Sequence, residues 1–173
     1  MFDHLQADTR RMKILKFKPF PWYVLESLLF DNGYQAVVLY RLAHWFKRHR
    51  VPVLGPFFHR LGIFLTGVDI SPSAEIGPGL LISHGVGLVV GGHARIGANA
   101  LLLHGVTLGS PSRGRVEEMP VVGDNAFIGA GAKLIGKIDI GDDVVIGPNA
   151  VVMVDIPAGS KVMPAGGIEV TPR

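Results

Sequence analysis

Residues 122–152 read VGDNAFIGAGAKLIGKIDIGDDVVIGPNAVV, and an aliphatic residue returns in them every six positions. These aliphatic residues, most of them followed by glycine, are Val122, Ile128, Leu134, Ile140, Ile146 and Val152. The same period starts at Ile76 and is clear from Val90 to Leu108. A period of six excludes an ordinary helix and an alternating strand, and it indicates a stacked solenoid.

The breaks in this pattern predict the shape of one coil. Glycine is absent after the aliphatic residue at four positions, which are Ser83, Leu103, Ile135 and Met153. We assign them to a single face, which predicts three faces and about 18 residues per coil. Coils would stack about 4.8 Å apart, with the aliphatic side chains pointing inward. Two extra residues between Ile82 and Val90 and an excursion at residues 110–120 interrupt the period.

The N-terminal part of the chain lacks this period. We predict a short helical cap at residues 1–66 and a solenoid domain at residues 67–173. Tyr34–Arg50 has apolar residues at helical spacing, and Gly55–Leu65 is predicted to form another short helix. The basic segment Arg10–Lys18 is interpreted as solvated, and peripheral membrane contact through it is the less favoured alternative.

Composition excludes several classes of protein. The chain has 173 residues, no cysteine and a net charge of +3, so it has no disulfide, no cysteine-ligated zinc and no thiol nucleophile. No apolar run approaches the roughly 20 residues of a membrane span, and no signal-peptide pattern is present. We therefore expect a cytoplasmic protein. The basic residues form no long stripe, which argues against nucleic-acid binding.

His84 is the first candidate for chemistry, because it lies in the shorter irregularity beside glycines. Asp69 precedes it by nearly one coil length, so it would stack one layer away and accept a hydrogen bond from the ring. Such a carboxylate would fix one tautomer and stabilise the protonated imidazole, as a general base requires. A surface histidine in a loop is the alternative.

His104 follows His84 by one coil plus the two inserted residues, so both side chains would project from one face in adjacent layers. A metal site with His93 as third ligand is an alternative, but the paired histidines usual in solenoid hydratases are missing. We therefore expect no metal and place His104 in the wall of the same pocket. His44 is expected to pack between cap and solenoid, and His59 to lie on the surface.

The solenoid resembles the serine acetyltransferases, members of the left-handed β-helix (hexapeptide) acyltransferases. The matching segments are Asp69–Gly77, His84–Gly91, Gly105–Gly109, Ile128–Gly136 and Ile146–Val152. Upstream, Tyr40–Trp45 is similar to the last part of that family's helical domain. The resemblance implies a left-handed parallel β-helix, a homotrimer, and acetyl-CoA bound between neighbouring solenoids.

The resemblance also implies roles for individual residues. His84 would take the proton of an acceptor hydroxyl as that oxygen attacks the acetyl thioester, and Asp69 would orient His84. Direct transfer in a ternary complex suits a chain without cysteine. The residues that match turns lining the coenzyme groove are Gly109, Ala130, Gly131 and Lys133.

Departures from the family determine the predicted acceptor. Ser83 stands where the family has aspartate, and Glu118-Met119 stands where it has Arg-His before the proline. Because a free amino acid needs both a cation and an anion, we predict a carbohydrate or other small non-serine hydroxyl, bound by Ser83, His104 and Met119. A serine O-acetyltransferase of cysteine biosynthesis is the alternative. A metal-dependent hydratase and a non-catalytic scaffold are alternatives of other classes.

Overall fold

The computed structural model describes residues 1–13 and 21–164, and its first part is helical. The helices are α1 (Phe2–Met12), α2 (Trp22–Phe30), α3 (Asn32–Arg48) and α4 (Leu54–Thr66). α3 and α4 confirm the helices predicted at Tyr34–Arg50 and Gly55–Leu65, whereas α1 and α2 were not predicted. None of the described helices is long and apolar enough to cross a membrane. Residues 14–18 of the basic segment and residues 165–173 of the predicted solenoid domain lie outside the described residues.

Short strands follow, each of two or three residues. They are β1 (Asp69–Ile70), β2 (Glu75–Ile76), β3 (Leu81–Ser83), β4 (Val89–Val90), β5 (Arg95–Ile96), β6 (Leu101–Leu103), β7 (Thr107–Gly109), β8 (Val121–Val122), β9 (Phe127–Ile128), β10 (Lys133–Ile135), β11 (Asp139–Ile140), β12 (Val145–Ile146), β13 (Val151–Val152) and β14 (Lys161–Val162). The chain visits three sheets in turn. Their strand orders are β1-β4-β7-β10-β13, β2-β5-β8-β11 and β3-β6-β9-β12-β14.

The register of the first sheet gives the length of a coil. Val89 pairs in parallel with Thr107, and Lys133 pairs in parallel with Val151, 18 positions apart in each case. The offset between Thr107 and Lys133 is larger because the excursion at residues 110–120 lies between them. The predicted three-sided parallel solenoid is therefore confirmed.

One step of the sequence argument was wrong. Ser83 and Leu103 end neighbouring strands of the third sheet, whereas Ile135 ends β10 in the first sheet. The four positions without glycine therefore lie on two faces. Leu102 pairs with Ile128, which places Leu103 one face before Ile135 in the stack.

The core is a continuous column of aliphatic side chains. In the first sheet the inward residues Ile70, Val90, Leu108, Leu134 and Val152 are at most 3% exposed. Burying a side chain of this kind contributes roughly 1.5–3 kcal/mol. Since every coil adds such a layer, the solenoid forms a rigid wall on which exposed residues keep fixed positions.

Helix α3 is attached to the first coil by polar side chains of the Tyr40–Trp45 segment. The Tyr40 hydroxyl donates to the Ala74 carbonyl at 2.8 Å. His44 Nδ1 donates to the Pro72 carbonyl at 3.0 Å, which confirms that His44 packs between cap and solenoid. These polar side chains of α3 thus position the cap on the coil that contains Asp69.

Candidate active site

His84 lies at the corner where the chain passes from β3 to β4. Its side chain is exposed, and its φ of 54° is in the left-handed region that few residues other than glycine adopt. A methyl group on the next residue, Gly85, would lie 2.6 Å from Cγ2 of Ile82, so this tight turn requires glycine there. The two inserted residues therefore form a compact loop that presents the imidazole to solvent.

His104 lies at the same corner, one coil further along. Ser83 pairs with Leu103, so His84 and His104 follow stacked strands, and both are exposed. The structure thus brings Ser83, His84 and His104 together, in agreement with their spacing.

The residues predicted to bind the coenzyme continue this corner into the next coil. The amide of Gly131 donates to the His104 carbonyl at 2.8 Å, which places Ala130 and Gly131 directly after His104 in the stack. Gly109 and Lys133 lie on neighbouring strands of the adjoining first sheet. Together, these residues form a strip from the His84 corner onto the first sheet.

Lys133 is the cation on this strip. Its ammonium donates to the Thr107 hydroxyl at 3.1 Å and to the carbonyl of Gly105. These contacts hold the side chain of Lys133, on β10, against β7 of the preceding coil.

Met119 occupies a different corner, at the end of the excursion between the first and second sheets. A methyl group on Gly91 would lie 2.5 Å from Met119 Cε, so the thioether packs directly over the backbone of Gly91 and against the core. A single chain therefore does not bring Met119 to Ser83 and His104, and the predicted pocket of these three residues is not formed within one chain.

His93 is separated from the other two histidines of the hydratase alternative. His93 follows β4 at the corner between the first and second sheets, away from the corner of His84 and His104. Within residues 1–13 and 21–164, no three or more histidine, aspartate and glutamate side chains are placed to hold a metal ion.

The carboxylate of Asp69 contacts His59 on α4. His59 Nε2 lies 2.8 Å from Asp69 Oδ1, and the two side chains are 29% and 48% exposed. Among the described residues, the expected hydrogen bond between His84 and Asp69 is not formed. No sequence signal indicated His59, because its contact depends on how α4 is oriented relative to β1.

Comparison with known proteins identifies the family. Residues 119–153 match the bacterial transferase hexapeptide (six repeats) model. A serine acetyltransferase of Helicobacter pylori is 40% identical over 146 residues, which are 84% of this chain and 85% of that protein. The chain belongs to the serine acetyltransferase family. The serine acetyltransferase of Synechococcus elongatus is 40% identical over 163 residues, 94% of this chain and 66% of that protein.

Solved serine acetyltransferases share the fold. The Brucella abortus enzyme in complex with coenzyme A has a TM-score of 0.84 and 29% identity, over 94% of this chain and 64% of that one. The Neisseria gonorrhoeae enzyme in complex with serine has a TM-score of 0.80 and 32% identity, over 91% of this chain and 63% of that one. The chain thus spans just under two thirds of these longer relatives. Membership of the serine acetyltransferase family confirms the predicted hexapeptide-repeat acyltransferase.

The prediction of a carbohydrate or other non-serine acceptor is wrong, because the relatives at 40% identity are serine acetyltransferases. It was based on Ser83, which stands where the family has aspartate, and on Glu118 and Met119, which stand where the family has Arg-His. In the structure Glu118 Oε2 lies 3.3 Å from Nη1 of Arg115 within the excursion, and Met119 packs on Gly91. Within one chain, Glu118 therefore contacts its own loop and Met119 contacts the solenoid at Gly91.

Proposed function

We propose that this chain is a cytoplasmic serine O-acetyltransferase, which works as a homotrimer and transfers the acetyl group of acetyl-CoA to the hydroxyl of serine. The observation that carries the proposal is the exposed corner of His84 and His104, which adjoins the Ala130–Gly131 turn. This corner belongs to a chain that is 40% identical to serine acetyltransferases. The serine and coenzyme A bound by two relatives of the same fold support both substrates.

His84 would be the general base. An exposed imidazole at a glycine-rich turn can approach a small hydroxyl without displacing core side chains. Its free ring nitrogen would remove the serine hydroxyl proton as the oxygen attacks the thioester carbonyl carbon. A positioned base of this kind is worth roughly 10²–10⁴-fold in rate.

The transfer would be direct. The chain has no cysteine, and no step requires an acetylated enzyme. The serine oxygen bonds to the acetyl carbon, the carbon–sulfur bond breaks, and the coenzyme A thiolate receives the proton that His84 removed. Holding the serine and the thioester together in one site supplies the favourable orientation that direct transfer needs.

A trimer would complete the site. Ser83, His84 and His104 occupy one corner of the solenoid, whereas Met119 and the excursion leave from another. In a ring of three solenoids, the excursion of one chain can face the His84 corner of the next. The predicted pocket of Ser83, His104 and Met119 would then form between two copies.

The proposal is tested by thiol release from acetyl-CoA. We expect release that depends on added serine, with alanine, which lacks the hydroxyl, giving no turnover. Mass spectrometry of the product should show one acetyl group on the serine oxygen. Light scattering should give the mass of three chains.

Two results would overturn the proposal. A folded, purified protein that releases no thiol with serine would exclude the activity. Activity retained by a monomeric fraction would exclude the requirement for a trimer.

A further inference from the structure

The contact between His59 and Asp69 has a defined direction. An ionised carboxylate only accepts hydrogen bonds, so Nε2 of His59 carries the hydrogen that is donated to Oδ1 of Asp69 at 2.8 Å. Within the described ranges, 1–13 and 21–164, no side chain or amide donates to Oδ2 of Asp69. His59 therefore fixes the rotation of the carboxylate and leaves one oxygen available.

His59 is held in place by the junction of α4 with the solenoid. It lines a narrow cavity together with Tyr40 of α3 and Val68. Helix α4 ends at Gly67, whose amide donates to the Ile63 carbonyl at 2.9 Å and whose φ of 68° turns the chain into β1. Because this turn is fixed, His59 can contact the side chain of Asp69, which lies ten positions later in the chain.

The corner of His84 lies against the same turn. The amide of Gly87 donates to the Gly67 carbonyl at 2.8 Å, and the amide of Asp69 donates to the Leu88 carbonyl at 2.9 Å. In β1, Ile70 is buried and Asp69 faces outward. The half-exposed side chain of Asp69 is therefore on the outer surface, on the strand next to the loop that carries His84.

We infer that His59 is a positioning residue for the transfer reaction, which holds the carboxylate of Asp69 so that its second oxygen can receive the ring N–H of His84. The inference rests on the proposed function, in which His84 is the base. His59 contacts Asp69 and no reacting atom, so its effect on the rate passes through that carboxylate.

Two substitutions at position 59 test this role. His59→Leu keeps the bulk but removes the donor, and it should lower kcat with serine by about 5- to 20-fold while the KM for acetyl-CoA stays unchanged. His59→Gln keeps an N–H donor and should restore most of kcat. His49→Leu is the matched control, because His49 bonds to the Trp45 carbonyl on α3 and should leave kcat unchanged.

A double substitution separates positioning from general packing. In an Asp69→Ala background, His59→Leu should cause no further loss of kcat, because the carboxylate through which it acts is gone. An unchanged kcat in the single variant would overturn the inference. If His59→Leu lowers kcat in the Asp69→Ala background as much as it does in the wild-type protein, the inference is overturned as well.

A spectroscopic measurement gives a result whether or not serine is the acceptor. His84 and Asp69 are not hydrogen-bonded in the ligand-free chain, so the measurement uses protein labelled with ¹⁵N-histidine and saturated with coenzyme A. In that complex the ring N–H signal of His84 should become protected from exchange with water. It should disappear in Asp69→Ala, broaden in His59→Leu and return in His59→Gln. A signal unaffected by His59→Leu would refute the positioning role, whereas a wild-type protein inactive with serine would refute only the proposed function.

Discussion

The carboxylate of Asp8 and the guanidinium of Arg41 form a buried ion pair with two contacts. Nε of Arg41 lies 2.9 Å from Oδ2, and Nη2 lies 3.1 Å from Oδ1. Arg41 also donates to the carbonyls of Ile76 and Gly77, each at 2.7 Å, and the amide of Leu80 donates to Asp8 at 2.8 Å. This network joins α1 and α3 to the first coil.

Asp8→Ala should therefore destabilise the protein strongly. The guanidinium would stay buried without its counter-charge, which costs about 3–5 kcal/mol in the free energy of unfolding. Urea denaturation measures the loss. Glu75→Ala is the control, because it breaks an exposed pair with Arg95 and should cost less than about 1 kcal/mol. Equal losses in the two variants would contradict the prediction.

His84→Asn should separate catalysis from stability. Asparagine tolerates the left-handed backbone that His84 adopts, and the side chain is exposed, so the free energy of unfolding should change by less than about 0.5 kcal/mol. The value of kcat should fall by about 10²–10⁴-fold. His93→Asn, at another corner, should keep wild-type kcat. A His84→Asn enzyme with normal turnover would exclude His84 as the base.

Two glycine substitutions should differ in cost. A methyl group on Gly97 would lie 2.7 Å from the backbone carbon of Gly123 in the next coil, whereas one on Gly91 mainly meets the flexible end of Met119. Gly97→Ala should cost about 1–3 kcal/mol. Gly91→Ala should cost less, because Met119 can move. Urea denaturation that ranks the two variants in the opposite order would be inconsistent with this packing.

Stability should also depend on pH through His44. Burial is the main cause that lowers the pKa of His44 below its ordinary value of 6.5. At pH values near and below 6.5, His44 takes up a proton more readily in the unfolded chain than in the folded chain. The free energy of unfolding should therefore fall as the pH drops from about 7 to 5.

His44→Gln tests this assignment, because it keeps a donor for the Pro72 carbonyl and does not titrate. It should reduce the pH dependence in urea denaturation. Burial also lowers the pKa of His4, so part of the dependence should remain. An unchanged slope in His44→Gln would rule out a contribution from His44.

The repeat predicted the fold because each inward aliphatic residue occupies an equivalent position in a stack, so spacing along the chain converts directly into position. The same property placed His84 and His104 at one corner. It did not place Met119 or His59. Met119 lies in the excursion, where the period gives no position, and the contact of His59 with Asp69 depends on the angle between α4 and the first coil. The acceptor was predicted wrongly because it was inferred from residue types at a few positions, whereas similarity over most of the chain relates it to serine acetyltransferases.

The turn at Gly67 has a consequence for the modularity of this fold. By sequence the boundary at residues 66–67 separates a cap from a repeat array, and repeat arrays are commonly treated as interchangeable parts. Here His59, in the helix before the boundary, contacts the carboxylate of Asp69 after the boundary. Transplanting the solenoid onto a different cap would transfer its shape without the partner of Asp69. Chimeras that exchange helices and coils should therefore take residues 54–91 together from one parent protein.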